Sequence, residues 1–224
     1  MEPGDLESAP TGDWQRGRLT SDGYSAAVDP QHINTLIIRR ATNGGTPVET
    51  ARIARHNSYD GISCYAFLPG RRQVVVGSNY GLTLHDADSG TTLREFVGHT
   101  GIIWAVAVSP DGRTLLSASG DQTLKLWDLE SVVSDPQLKT VAPLLNFFFT
   151  KDQQDFVAWT EEGYYSASPG GEDLIGWHTN RGIDKAASFP PRGSTPKCCT
   201  SRKWWNWCRQ LAAPKKLCSR PPKF

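Results

Sequence analysis

Residues 98–128 read GHTGIIWAVAVSPDGRTLLSASGDQTLKLWD. Three apolar runs alternate there with turn-forming residues. Trp104–Val108 precedes Ser109–Pro110–Asp111–Gly112, Thr114–Ala118 precedes Gly120–Asp121–Gln122, and Leu124–Trp127 ends the set. Proline at the second turn position and glycine at the fourth suit a hairpin, because proline presets φ and glycine tolerates the exit geometry. β-branched and apolar residues between turns suit strands. The stretch therefore predicts three short antiparallel strands.

The same plan recurs on both sides. Residues 60–86 read DGISCYAFLPGRRQVVVGSNYGLTLHD, and Leu84–His85–Asp86 falls where Leu126–Trp127–Asp128 falls. The offset is about 42 residues, a period that suits a repeat of four short strands. Farther back, TLIIRRATNG at 35–44 matches TLHDADSG at 83–90. Downstream, VAWTEEGYYSASPGGEDLIGW at 157–177 sets Gly163 against Gly112, Ser166–Ala167–Ser168 against Ser117–Ala118–Ser119, and Trp177 against Trp127. One full unit, two degenerate ones and a fragment result.

Gly98–His99 at the head of the full unit and Trp127–Asp128 at its end resemble the signature of the WD40 repeat family. The resemblance covers roughly residues 21–180. It implies an all-β fold, a partial WD40-type β-propeller of about four blades at ~40–45 residues each, open or incomplete as a ring. It also implies a hydrogen-bonded structural tetrad, which maps onto His99, Ser117, Asp121 and Trp127. The chemistry is reasonable by itself: a buried imidazole and a buried indole each need a polar partner, and a hydroxyl and a carboxylate can supply them. A catalytic His–Ser–Asp triad is the competing reading. It is disfavoured because Ser117 would lie inside a strand with no sharp strand-to-helix turn to present it. Upstream, His85 stands where Trp127 stands, so a weaker tetrad or none is expected there.

A second resemblance lies in VAWTEEGYYSASPGGEDLIGWHTNRG at 157–182. It is similar to the segment that ends the propeller in large bacterial WD40 proteins, which often carry a caspase-like peptidase domain. No Cys–His pair suited to such a peptidase is evident in this chain. Cys64 falls in a predicted strand and reads as a small buried apolar residue. His178, beside Trp177, reads as a capping or surface residue. No catalytic, cofactor or metal site is expected.

The net charge of +1 conceals a division. All 23 acidic residues precede residue 185, where they face fourteen of the 24 basic ones, a net of −9. Residues 185–224 hold ten basic residues, no acids, Trp204, Trp205, Trp207, Cys198, Cys199, Cys208 and Cys218. Basic and aromatic residues together suggest single-stranded nucleic acid or an anionic membrane, and four cysteines suggest zinc. The cysteines lack a CxxC spacing, and prolines at 190, 191, 196, 214, 221 and 222 oppose long regular elements. The codons point elsewhere. Read one base earlier, Lys203–Trp204–Trp205–Asn206–Trp207–Cys208 is forced to Val or Met, then Val, Glu, Leu and Val. The tail is therefore read as translated out of frame from near Ser188–Phe189 and as disordered.

The domain expectation is a polar leader over 1–20, a propeller portion over 21–183 and a basic Cys/Trp-rich tail over 184–224. The functional expectation is a non-enzymatic protein–protein interaction scaffold, a truncated or frameshifted fragment of a longer multidomain protein. The alternative is the regulatory or docking half of a caspase-like peptidase whose catalytic domain is missing. The expected partners are other proteins, together with self-association through open propeller edges. Neither specific nucleic acid nor membrane is expected. MEPGDLESAP has neither the basic nor the apolar region of a secretory signal, so a cytoplasmic location is expected.

Overall fold

The computed structural model describes residues 20–134 and 137–175. Trp177, His178, the leader and the basic tail, with the expectations attached to them, lie outside the described residues. The chain divides between Leu144 and Leu145 into two compact units.

The first unit is built of antiparallel hairpins. β1 (Thr20–Ser21), β2 (Tyr24–Val28), β3 (Thr35–Thr42) and β4 (Gly45–Ala54) form a four-stranded sheet in chain order. β5 (Ile62–Phe67), β6 (Gln73–Ser78), β7 (Leu82–Asp86) and β8 (Thr92–Phe96) form a second in the same order. β9 (Ile103–Val108), β10 (Thr114–Ser119) and β11 (Thr123–Asp128) follow, with Leu115 opposite both Val108 and Trp127. The turn before β10 closes with Gly112 N–H on the Ser109 carbonyl at 2.9 Å, and Gly112 takes φ +69° there. A short helix, α1 (Leu129–Ser134), leads on to β12 (Thr140–Val141). β12 runs parallel to β8, with Thr140 opposite Glu95 and Val141 opposite Phe96.

Successive strand side chains point to opposite faces, and the core follows that period. In β6, Val74 and Val76 join Leu36, Ile38, Ile53 and Phe67 on the side of the first sheet. Val75 joins Leu84, Ile103, Leu115 and Trp127 on the side of the third. The second sheet is thus apolar on both faces, which explains its unbroken Val74–Val75–Val76 run.

The second unit starts with β13 (Leu145–Phe149), β14 (Phe156–Trp159) and β15 (Tyr165–Ala167), an antiparallel meander. A 3-10 turn over Gly171–Leu174 follows. Asp155 anchors it, accepting the Ser168 hydroxyl at 2.6 Å and the Gly170 N–H at 3.0 Å. A Cβ at Gly171 would lie 2.0 Å from the Phe156 carbonyl oxygen, so only glycine fits.

Candidate functional site

Four side chains from four successive segments meet at β10. His99 comes from the loop between β8 and β9, Ser117 from β10, Asp121 from the β10–β11 turn and Trp127 from β11. Trp127 is fully buried and meets Phe96 edge-on at 5.3 Å between ring centres. Its indole N–H donates to Ser117 Oγ at 2.8 Å. His99 Nδ1 lies 2.8 Å from Asp121 Oδ2 and Nε2 lies 2.8 Å from Ser117 Oγ. A carboxylate only accepts, so Nδ1 carries the proton and Nε2 accepts from Ser117. Every donor in the chain Trp127, Ser117, His99, Asp121 then points the same way.

The electrostatics fit that order. Burial lowers the His99 pKa more than the Asp121 carboxylate raises it, which keeps the imidazole neutral. Burial pushes the Asp121 carboxyl up, but hydrogen bonds from Thr123, His99 and the Thr100 and Thr123 N–H groups outweigh it and hold the pKa far below the usual carboxylate range. The Thr100 contact, 3.0 Å long, ties the turn to the loop.

The second sheet carries a different polar chain where the sequence predicts a weak tetrad or none. Arg55, in the loop between β4 and β5, donates from Nε to Asp60 Oδ2 at 2.8 Å and from Nη1 to Thr83 Oγ1 at 3.2 Å. Thr83 Oγ1 lies 2.8 Å from His85 Nε2, and His85 Nδ1 lies 3.1 Å from the Gly90 carbonyl. A carbonyl only accepts, so Nδ1 holds the proton and Thr83 donates to Nε2. Burial pushes the His85 pKa down to about 4. Acid, cation, hydroxyl and imidazole succeed one another as acid, imidazole, hydroxyl and indole do around Ser117, but here the ring nitrogen accepts from the hydroxyl, whereas the indole donates to it. The anchoring acid changes sides. Asp121 sits in the turn and accepts from the loop, whereas Asp60 sits in the loop and accepts the Tyr80 N–H of the β6–β7 turn at 3.1 Å. Sequence reasoning missed Arg55, Asp60 and Thr83. Their only signal was an Arg and an Asp in the loop before a unit lacking the tryptophan.

These chains pin the loops at one end of the sheets, and that end presents large apolar side chains to solvent. Tyr59 is 78% and Tyr80 73% exposed, and Ile33, in the loop between β2 and β3, and Trp104, near the start of β9, are exposed too. Ile62 N–H donates to the Ile33 carbonyl at 2.8 Å, and the Asn79 side-chain amide to the Tyr59 carbonyl at 2.8 Å, so the loops are stitched together. Trp104 lies over Gly120, where a Cβ would come 3.1 Å from the indole nitrogen.

Cys64 is partly buried in β5, and burial pushes its thiol up to about 11. Such a thiol is mostly protonated and a poor nucleophile at neutral pH. Among the described residues no group of three or more His, Cys, Asp and Glu is placed to hold a metal ion.

Residues 90–128 match the family described as WD domain, G-beta repeat. That span runs from the turn before β8 to the end of β11. The chain is 43% identical over 70 residues to WD repeat-containing protein 3 of Mus musculus, covering 31% of this chain and 7% of that one. It is 47% identical over 58 residues to the nuclear distribution protein PAC1 of Arthroderma benhamiae, covering 26% of this chain and 12% of that one. It thus spans only a small fraction of these curated relatives. Among solved structures, Kluyveromyces lactis Hsv2p overlays with a TM-score of 0.45 and 12% identity, over 66% of this chain and 58% of that chain. Residues 90–128 are thus similar to a WD40 repeat, and the all-β architecture of successive antiparallel sheets is that of a partial WD40-type β-propeller.

Proposed function

We propose that the chain is a non-enzymatic scaffold that binds other proteins through the face bearing Ile33, Tyr59, Tyr80 and Trp104. The observation that carries the reading is that these exposed side chains, three on loops and Trp104 near the start of β9, lie at the end of the sheets where two buried polar chains pin the loops. Aromatic side chains held on rigid loops supply contact area at low ordering cost, and Tyr and Trp dominate the energetics of most protein interfaces. The buried histidines and hydroxyls serve to fix the loops, and the tetrad His99, Ser117, Asp121 and Trp127 is structural in this reading.

The test is site-specific photo-crosslinking in extracts of the source cells. A crosslinker at position 59 or 104 should capture the same protein partners, and one at Ser89, in the turn between β7 and β8, should not. The combined variant Tyr59→Ser, Tyr80→Ser, Trp104→Ser should lose them while keeping its melting temperature. Retention of the partners by that variant would sink the proposal.

The finer context stays with this proposal. Membership of a longer multidomain protein, and a docking role beside a caspase-like peptidase, rest on residues 157–182. The relatives named above are eukaryotic and lend no support to a bacterial setting. Downstream DNA encoding a peptidase His and Cys in the alternative frame would support the docking role, and its absence would remove it. A cytoplasmic location belongs to the same reading and is checked by fractionation.

A further inference from the structure

An outermost strand presents a row of N–H and C=O groups that any extended chain can pair with. The first unit answers this at β8 with its own residues. Glu95 N–H donates to the Lys139 carbonyl at 3.0 Å and Val97 N–H to the Val141 carbonyl at 2.9 Å. The Leu93 carbonyl receives the Arg94 guanidinium at 2.6 Å. Residues 138–143 therefore form a strap along one end of the edge, and a side chain closes the other.

The strap is lightly held. Its ladder is two residues long and parallel. Val141 enters the core that contains Phe96, and Pro143 packs against Gly98, where a Cβ would lie 3.3 Å away. Lys139, Thr140 and Ala142 face solvent. Val141, the half-buried Leu138, Pro143 and a few backbone bonds thus stand where a full neighbouring strand would stand.

We propose that the outer edge of β8 is an acceptor for an extended peptide, and that residues 138–143 are its built-in occupant. A partner strand would run parallel to β8 with an apolar residue in the Val141 position and polar residues beside it, taking the strap's place. Main-chain hydrogen bonds would give affinity and the Val141 pocket selectivity. This acceptor is an edge, separate from the aromatic loop face, so either can fail without the other.

The test begins with native-state hydrogen exchange on the full chain. The Glu95 and Val97 amides should open at least ~100-fold more readily than those of Val75 and Leu84, as a locally releasable element does. A labelled peptide with the sequence of residues 137–143, QLKTVAP, should then bind a Val141→Asp variant saturably and restore protection at Glu95 and Val97. The unmodified chain should bind it at least ~10-fold more weakly, since its own strap competes. The peptide with Asp in place of the valine should not bind. The Tyr59→Ser, Tyr80→Ser, Trp104→Ser variant should open its strap as the unmodified chain does, which separates this edge from the loop face. If Glu95 and Val97 exchange only as fast as the central strands, the strap is integral and the proposal fails. It fails equally if the folded variant ignores the peptide. Should Val141→Asp not fold, the exchange comparison on the unmodified chain decides alone.

Discussion

Replacing Ser117 by alanine removes one oxygen atom and should be among the most damaging small changes available to this chain. Ser117 is 1% exposed, and its hydroxyl accepts the Trp127 indole N–H and donates to His99 Nε2, each at 2.8 Å. Alanine fits the space, so the cavity contribution is small. Two buried polar groups lose their partners, and an unsatisfied group of this kind costs about 1–3 kcal/mol. Allowing for some relaxation, Ser117→Ala should destabilise the first unit by about 2–4 kcal/mol. At about 2–4 °C per kcal/mol for a domain of this size, the melting temperature should fall by roughly 5–15 °C. Urea titration followed by circular dichroism, with thermal melts alongside, measures both. Trp127→Phe supplies the second arm of a cycle. It keeps an aromatic ring beside Phe96 and removes only the indole donor and part of the ring volume. Adding Ser117→Ala to it no longer strands an indole N–H, so the double variant should be less than additive by about 1 kcal/mol or more. A Ser117→Ala cost below about 0.5 kcal/mol, or strict additivity, would refute the polar-chain account.

Two further expectations follow from the buried titratable groups. Burial holds the His85 pKa at about 4, against about 6.5 in an unfolded chain, and the Arg55 charge acts in the same direction. The neutral ring's contribution is complete above about pH 6.5 and is lost as pH falls toward 4, at up to roughly 1.4 kcal/mol per pH unit. His99 is shifted the same way, so His85→Gln should reduce the slope in a pH series of urea titrations without abolishing it, and an unchanged slope would contradict the assignment. Cys64, its thiol raised to about 11, should react with a thiol reagent at pH 7.5 far more slowly in the folded chain than in urea. Stoichiometric labelling of Cys64 or Ser117 by an activity probe would overturn the non-enzymatic reading.

The strands of residues 98–128 were legible because their turns carry their own chemistry. Ser109–Pro110–Asp111–Gly112 closes as its residue types demand, and the observed strands differ from the expected ones by about a residue at each end. The match of 35–44 to 83–90 also finds corresponding places, since each stretch contains a strand starting at or next to a threonine and the hairpin turn after it. The side chains meeting at Ser117 could be named from the resemblance because each keeps its type. The Arg55–Thr83–His85 chain could not, because satisfying buried hydrogen bonds demands complementary donors and acceptors, not particular letters. β12 was equally silent. Two residues have no period to read, and what places Thr140–Val141 is the vacant edge of β8, a property of tertiary structure alone.

The repeat seen in the sequence and the sheet seen in space are offset by one strand. Residues 90–128 hold β8, which belongs to the second sheet, and β9 to β11 of the third. For recombination, the natural unit of polar bonding is therefore not the natural unit of pairing. A graft cut at 90 and 128 would carry His99, Ser117, Asp121 and Trp127 together, yet strip β7 of its outer neighbour in the donor. A graft cut at 62 and 96 would move β5 to β8 together and leave Arg55 and Asp60 behind, stranding Thr83 and His85 without their cation. Only an exchange in which both ends shift by the same strand heals both. Duplications and deletions in whole repeats satisfy that condition automatically, and designed chimaeras must be made to.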